Sequence, residues 1–332
     1  MLEIRRRDFI ALLGSAAAAW PLAASAQQGG HVRRIGVLMA LDENDPLARP
    51  RVSAFTQALA NLGWTDGRNV RMDLRWFGDN NNRIRALAQE LVGLQPDVIV
   101  TAGVPTTTAL QRETRTIPIV FANAGDPVAS GLVPHLNQPG GNITGFANYE
   151  ATLSSKYLEL LSEIAPGLMR AAIMFNPDFP APPTYIPSVE RAARSLKVEL
   201  IPAPVHSDVE IEAAIIALGR EPQGGLVVMP DIFMTAHRAP IISAAARNNV
   251  PAVYYRSEFA RDGGLLSYGP DLVDNWRRAA SYVDRSLRGE KAAELPVQLP
   301  TKFEMAVNFK TAKALGLAVP PSIMLRATEV IE

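Results

Sequence analysis

From residue 33 onward short apolar runs alternate with amphipathic stretches, a rhythm that predicts parallel sheets covered by helices. RRIGVLM (33–39) is expected as the first strand. Pro50 then opens a helix whose Val52, Phe55, Leu59 and Leu62 share a face, ended by Gly63. NVRMDLRWF (69–77) alternates like a half-buried or edge strand, and Ile84, Leu87, Ala88 and Leu91 form the stripe of the next helix. DVIVTAG (97–103) reads as a buried strand, a helix begins near Pro105, and IPIVFA (117–122) is the following strand. GGNITGFANYE (140–150), a short β-like segment flanked by glycines, marks a boundary.

Beyond that boundary the rhythm restarts. A helix carrying Leu158, Leu161 and Ile164 precedes the strand RAAIMFNP (170–177), and proline-rich PDFPAPPTYIP (177–187) predicts a loop. Further strands are expected at 198–205, 225–230, 250–255 and 264–269. Asp208 opens an intervening helix with Ile211, Ile215 and Leu218 inward. A helix over 274–289 aligns Trp276, Ala280, Val283 and Leu287, and is followed by the extended ELPVQLPTKFEMAVN and one more helix. The expected fold class is α/β, with two doubly wound parallel-sheet lobes joined by a hinge that the chain crosses several times. One lobe takes 33–145 and 273–295, the other 148–270 and 300–330.

Composition narrows the function. Lys plus Arg equals Asp plus Glu, and no basic run gives an electrostatic footprint for nucleic acid, so none is expected as a partner. Residues 1–26 have a basic start, a short apolar run and the small-residue sequence Ala24, Ser25, Ala26. They read as an export signal, and Arg6 and Arg7 before Asp8, Phe9 and Ile10 give it a twin-arginine look. Cleavage near Ala26 leaves 30 basic and 31 acidic residues, a net charge of −1. The chain has no cysteine, hence no disulfide and no lipid-bearing cysteine at the cleavage site, and a product free in the periplasm is expected.

Catalytic patterns are missing. The histidines at 31, 135, 206 and 237 share no ligand spacing, and the mature chain has no phosphate-cradling loop, dinucleotide fingerprint or nucleophile elbow. No metal, cofactor or enzymatic activity is expected. Polar residues instead recur just after apolar strands, where open α/β sheets bind ligands. They are Asp42 and Asn44; Thr101, Thr106 and Thr107 around Pro105; Asn123 and Asp126; and Asn176, Asp231, Tyr254, Tyr255 and Tyr268.

Around AGVPTTTAL, Pro105 at a helix start leaves free backbone N–H groups beside threonine hydroxyls, a setting for a carboxylate or simply a cap. Asp231 is placed to meet an ammonium group; capping a helix from about 236 suits its position less well. Tyr254 and Tyr255 offer rings for stacking, but alternation sends one to each face. Asn176, before Pro177, fits a turn as well as a contact, and Asp42 and Asn44 fit solvent as well as a ligand. In PIVFANAGDPVASGLV, Asp126 before Pro127 has the form of a helix N-cap, which leaves Asn123 as the residue facing the presumed cleft.

Several ordered blocks carry a resemblance. ALANLGWTDGRNVRMDLRWFGDNNNRIRALAQELVGLQPDVIVTAG (58–103), IPIVFANAGDPVASGLV with PGGNITGF, and GGLLSYGPD with FEMAVNFKTAKALGLAVPPSIMLRATEVI are similar to ABC-transporter substrate-binding proteins of the tryptophan/tyrosine-binding type, over nearly all of 33–331. The resemblance implies a type I periplasmic-binding-protein fold whose lobes, joined by three crossings, close on a small solute and deliver it to an inner-membrane permease, usually as a monomer. It implies that the ligand's carboxylate is held at Thr101, Pro105 and Thr106 and its amino group at Asp231. Many relatives have a Thr-Asp-Asn-like segment where this chain has MPDIFM, so Pro230, Ile232 and Phe233 replace the hydroxyl and amide neighbours of that acid. A periplasmic sensor of the same fold, presenting its closed form to a receptor, is the alternative function; an exported α/β enzyme is a third.

Overall fold

The computed structural model describes residues 32–39, 41–78, 81–148, 152–178, 182–220 and 223–332. The export-signal segment 1–26 lies outside them. Strands β1 (Arg33–Met39), β2 (Val70–Trp76), β3 (Val98–Thr101), β4 (Ile119–Ala124) and β5 (Ile143–Ala147) form a parallel sheet ordered β2-β1-β3-β4-β5. The predicted alternation is visible in its two faces. Ile35, Val37, Val98, Val100 and Val120 pack with Phe55 and Leu59 of α1 (Ala48–Asn61), while Leu38, Ile99, Ile119 and Phe121 pack with Leu87 and Leu91 of α2 (Ile84–Gly93) and Leu110 of α3 (Val104–Glu113).

β5 approaches β4 closely enough that only glycine fits at 145. Its φ is +151°, and a Cβ there would sit 2.0 Å from the Phe121 carbonyl oxygen, at the point where the β4–β5 register shifts.

The second sheet runs β12-β11-β10-β9-β8-β6-β7. Its strands are β6 (Arg170–Phe175), β7 (Glu199–Pro204), β8 (Gly224–Val228), β9 (Ala252–Tyr254), β10 (Leu266–Pro270), β11 (Phe303–Asn308) and β12 (Glu329–Ile331). It is not wholly parallel, because β11 returns antiparallel to β10 after its excursion through the first lobe. Its helices are α4 (Thr152–Ile164), α5 (Pro182–Leu196), α6 (Asp208–Gly219), α7 (Ile232–Ala236), α8 (Arg238–Arg247), α9 (Ser257–Arg261), α11 (Phe309–Ala314) and α12 (Pro321–Arg326).

Several local expectations change. The proline-rich stretch expected as a loop contains the start of α5: Pro182 and Pro183 stand in its first turn, where a missing N–H breaks no helical bond. Ser207, not Asp208, caps α6, its side chain accepting from the Glu210 N–H. Asp126 accepts from the N–H groups of Val128 and Ala129 as a cap would, yet a turn follows it and not a helix.

The chain passes between the sheets three times: from β5 to α4, from β10 to α10 (Leu272–Leu287), and through 297–303 to β11. Helix α10 buries Trp276, Ala280 and Val283 against the first sheet, with Trp276 edge-on to Phe55 at 6.0 Å. The third passage runs beside the end of β5, Gln298 accepting from Ala147 N–H and donating to the Gly145 carbonyl. It is fastened to the second passage by the Asp271 N–H, which donates to the Lys302 carbonyl at 3.0 Å, and by the Lys302–Asp271 ion pair at 2.8 Å. These cross-links brace the passages against one another.

Candidate ligand-binding site

Both sheets change winding direction within themselves, between β1 and β3 in the first and between β6 and β8 in the second. Loops leaving the carboxyl ends of neighbouring strands diverge at such points and leave a crevice. A cavity of about 170 Å³ lies beside these points, walled by Gly103, Val104 and Pro105 after β3, Asn123, Gly125 and Asp126 at the end of β4, and Asn148 in the first passage. The other wall is Tyr157 of α4, Tyr185 of α5, Pro230, Asp231 and Thr235 after β8, and Tyr255 and Arg256 after β9; Pro270 and Leu272 come from the second passage.

On the first-lobe side, α3 points its N-terminus at this space. Gly103 at φ +92° turns the chain directly from strand into helix, and its N-cap position carries no side-chain acceptor. The first intrahelical bond is from Thr107 N–H to the Gly103 carbonyl, so Val104 and Thr106 have first-turn N–H groups without an intrahelical acceptor, and Pro105 has none to offer. Partial positive charge gathers at such a terminus.

Asp231 faces it from the second lobe. It caps α7, Oδ1 accepting from Met234 N–H at 2.6 Å, and Oδ2 accepts from Asn176 N–H at 3.2 Å. Burial pushes its pKa up, and the N–H groups of Met234, Asn176 and Phe233 offset that only partly. The expectation that Asp231 is poorly placed for capping is corrected by a helix that starts at Ile232 instead of near 236. Capping and lining the cavity are compatible, since a carboxylate has more acceptor positions than these bonds occupy.

The remaining predicted residues divide sharply. Pro105, Asn123 and Asp231 come together at the cavity. Asn123 is nevertheless held by α10: its amide meets that of Asn275 at 2.9 Å, and the reversed amide orientation accepts the Trp276 indole N–H at 3.2 Å. Thr101 is buried, with its hydroxyl donating to the Leu38 carbonyl, and the Thr106 hydroxyl turns back to the Ala102 and Gly103 carbonyls. Neither side chain reaches the cavity wall. Asp42 and Asn44 are solvent-exposed, and Asn176 contributes its backbone N–H to Asp231 while its side chain accepts from Asp178 N–H. Tyr254 is buried against Phe259, ring centroids 4.8 Å apart, and Tyr268 stacks on Phe303 at 5.5 Å.

Alternation was the right guide for the tyrosine pair, with the opposite phase: Tyr255, not Tyr254, lines the cavity. Its hydroxyl donates to the Asp231 carbonyl at 2.8 Å and meets the Thr235 hydroxyl at 2.6 Å. Tyr157 and Tyr185 escaped sequence reasoning. The first lies on the same apolar helical face as Leu161 and Ile164, and the second follows two prolines in a stretch read as loop. Arg256 closes the wall, forked onto Glu258; burial works against its charge, but Glu258 outweighs it and the guanidinium pKa stands above its ordinary value.

Among the described residues no group of His, Cys, Asp and Glu is arranged to hold a metal ion, and no helix is long and apolar enough to cross a membrane. The site offers three kinds of chemistry: N–H groups for an anion on the first-lobe wall, and a buried carboxylate for a cation with three tyrosines on the second-lobe wall.

Known proteins share this architecture. The "Tyrosine-binding protein" of Clostridioides difficile is 25% identical over 264 residues, covering 79% of this chain and 75% of the relative. A conserved domain protein from Vibrio cholerae superposes with a TM-score of 0.79 at 25% identity, over 90% of this chain and 99% of that one. The ABC domain of Streptococcus pneumonia in complex with L-Trp also gives 0.79, at 22% identity and the same coverage. The two lobes have the type I periplasmic-binding-protein fold. The profile of the ABC transporter substrate binding protein family matches residues 34–331, and the chain belongs to that family.

Proposed function

We propose that the protein is the periplasmic solute-binding subunit of an ABC importer, closing its lobes on an amino acid with an aromatic side chain and delivering it to a permease. The observation that carries this reading is the meeting, in one cavity, of the α3 N-terminus, the Asp231 carboxylate and the rings of Tyr157, Tyr185 and Tyr255. The solute's carboxylate would take the Val104 and Thr106 N–H groups, and its ammonium would take Asp231. An ammonium ion there would also stabilise the carboxylate charge that burial disfavours. The names of the tyrosine-binding relative and of the L-Trp complex support the same class of solute.

Family membership, together with the export signal expected at 1–26, supports delivery to a permease. Of the hydroxyls and backbone N–H groups that the resemblance implied, this reading uses the N–H groups alone, because backbone carbonyls take the Thr101 and Thr106 hydroxyls. Closure requires that the solute touch both lobes and so favour the closed state. Thermal-shift screening of the mature protein against amino acids, aromatic acids and small carboxylates tests the reading. Stabilisation by aromatic amino acids is the expected result, and stabilisation by sugars or polyols alone would refute it.

A further inference from the structure

A second cavity, of about 600 Å³, adjoins the first, the two sharing Arg256, Pro270 and Leu272 in their walls. Its first-lobe wall is the entry to α1, including Asp45 and Arg51, and its second-lobe wall includes Arg256 and α9. Most charges lining it are matched within the protein: Arg238 with Asp262 at 2.7 Å, Arg261 with Glu329 at 2.7 Å, Asp271 with Lys302, and Arg256 with Glu258. Glu304 accepts the Ser257 hydroxyl at 3.2 Å, and burial with Asp271 nearby pushes its pKa up, toward the uncharged form.

Arg51 is the exception among the guanidiniums. Among the described residues its guanidinium makes no hydrogen bond and no ion pair, although it lines this cavity. Burial, together with the charge of Arg256, brings its pKa down to about 10, while Glu258 and Asp45 act the other way. Those two carboxylates are engaged elsewhere, Glu258 with Arg256 and Asp45 with the Leu47 N–H at 2.7 Å. The four charges balance, but the donors of Arg51 do not find acceptors. The half-buried Arg51 guanidinium thus brings five N–H donors to the cavity wall with no acceptor from the protein, and a planar carboxylate is the group that fits its fork.

We propose that Arg51 of the first lobe and Arg256 of the second form a subsite for a second carboxylate, carried at the far end of the bound solute's side chain. The proposal deepens the amino-acid reading and rests on it for the placement of the solute's other end. It makes the solute an aromatic amino acid whose side chain ends in a carboxylate and runs from the tyrosine-lined cavity past Arg256. Because the arginines come from different lobes, the second carboxylate would also favour closure.

Calorimetric titration of the mature protein with L-phenylalanine and 4-carboxy-L-phenylalanine tests the subsite on one scaffold. The carboxylated compound is expected to bind at least about tenfold tighter. Arg51→Gln should erase that preference while leaving phenylalanine affinity within about twofold, and Arg51→Lys should keep part of it. Equal affinity of the native protein for both compounds overturns the proposal, as does an equal loss for both in Arg51→Gln, which would make Arg51 a contact between lobes. Phenylacetate and 1,4-phenylenediacetate, which lack the amino group, separate the two readings. An Arg51-dependent preference for the diacid without amino-acid binding keeps the subsite and discards the amino acid; phenylalanine binding without any Arg51 dependence does the reverse; no binding in either series discards both.

Discussion

The carboxylate of Asp231 takes the backbone N–H of Asn176 at 3.2 Å, tying the loop after β8 to the loop after β6 where the second sheet changes its winding. One residue thus holds the second-lobe wall of the cleft in shape and presents a buried acid to it.

Asp231→Asn removes the charge and keeps the cap: its one amide oxygen can still accept from Met234 N–H, while its NH2 group cannot accept from Asn176 N–H, so the loop tie is lost as well. Asparagine caps a helix about as well as aspartate, so the fold should survive, while affinity for an amino acid falls at least about tenfold through loss of a charge-assisted bond. The pH dependence has a definite sign. Burial raises the Asp231 pKa in the folded protein, so the stability linked to this group is greatest below the ordinary carboxyl range and declines as pH rises through the folded value. Melting temperatures of ligand-free native and Asp231→Asn protein across pH 4 to 8 should show the variant gaining on the native protein as pH rises. A constant gap would contradict this.

Tyr255→Phe removes the hydroxyl that bonds the Asp231 carbonyl and meets Thr235. Urea unfolding should show a loss of about 1 kcal/mol. Tyr268→Phe, at a ring stacked on Phe303 away from the cavity, should change neither stability nor solute affinity measurably.

Gly145→Ala tests the close approach of β5 to β4. With a Cβ only 2.0 Å from the Phe121 oxygen, accommodation requires backbone movement in a buried strand pair. A loss of about 3 kcal/mol or more is expected in urea unfolding, and a loss below about 1 kcal/mol would show that the strands separate easily.

The bond between the second and third passages gives a salt-dependent prediction. Burial disfavours the Asp271 charge, but Lys302 and the Asp274 N–H outweigh it and hold the pKa below its ordinary value. Its contribution is therefore present above the ordinary carboxyl range and lost as pH falls through the folded value. Lys302 is mostly exposed, which limits the pair to about 0.5 kcal/mol. Lys302→Met should lower the melting temperature slightly at pH 7, with the difference shrinking at low pH or in 1 M salt, readable by calorimetry.

Much of the fold was legible because burial enforces alternation. Ile35 and Val37 face α1 while Leu38 faces α2, and no other assignment of that run hides both sets. Pro105, Asn123 and Asp231 were legible as cavity-lining residues for a related reason: each ends or follows a buried strand, and strand ends converge at the cleft. Side-chain direction was not legible. Thr101 and Thr106 stand beside the cleft in sequence, yet backbone carbonyls within reach capture their hydroxyls, and of the Tyr254–Tyr255 pair both rings meet Phe259 while only the Tyr255 hydroxyl reaches the Asp231 carbonyl. Tyr157 and Tyr185 arrive from helices whose approach to the cleft depends on tertiary packing, and the antiparallel return of β11 depends on a passage through the other lobe.

Isothermal titration of L-tyrosine into the mature protein measures the central claim directly. Saturable binding of one molecule per chain, with a Kd of about 1–10 μM or tighter, is the predicted result. The absence of binding heat at millimolar tyrosine, repeated with tryptophan and phenylalanine, would contradict the account.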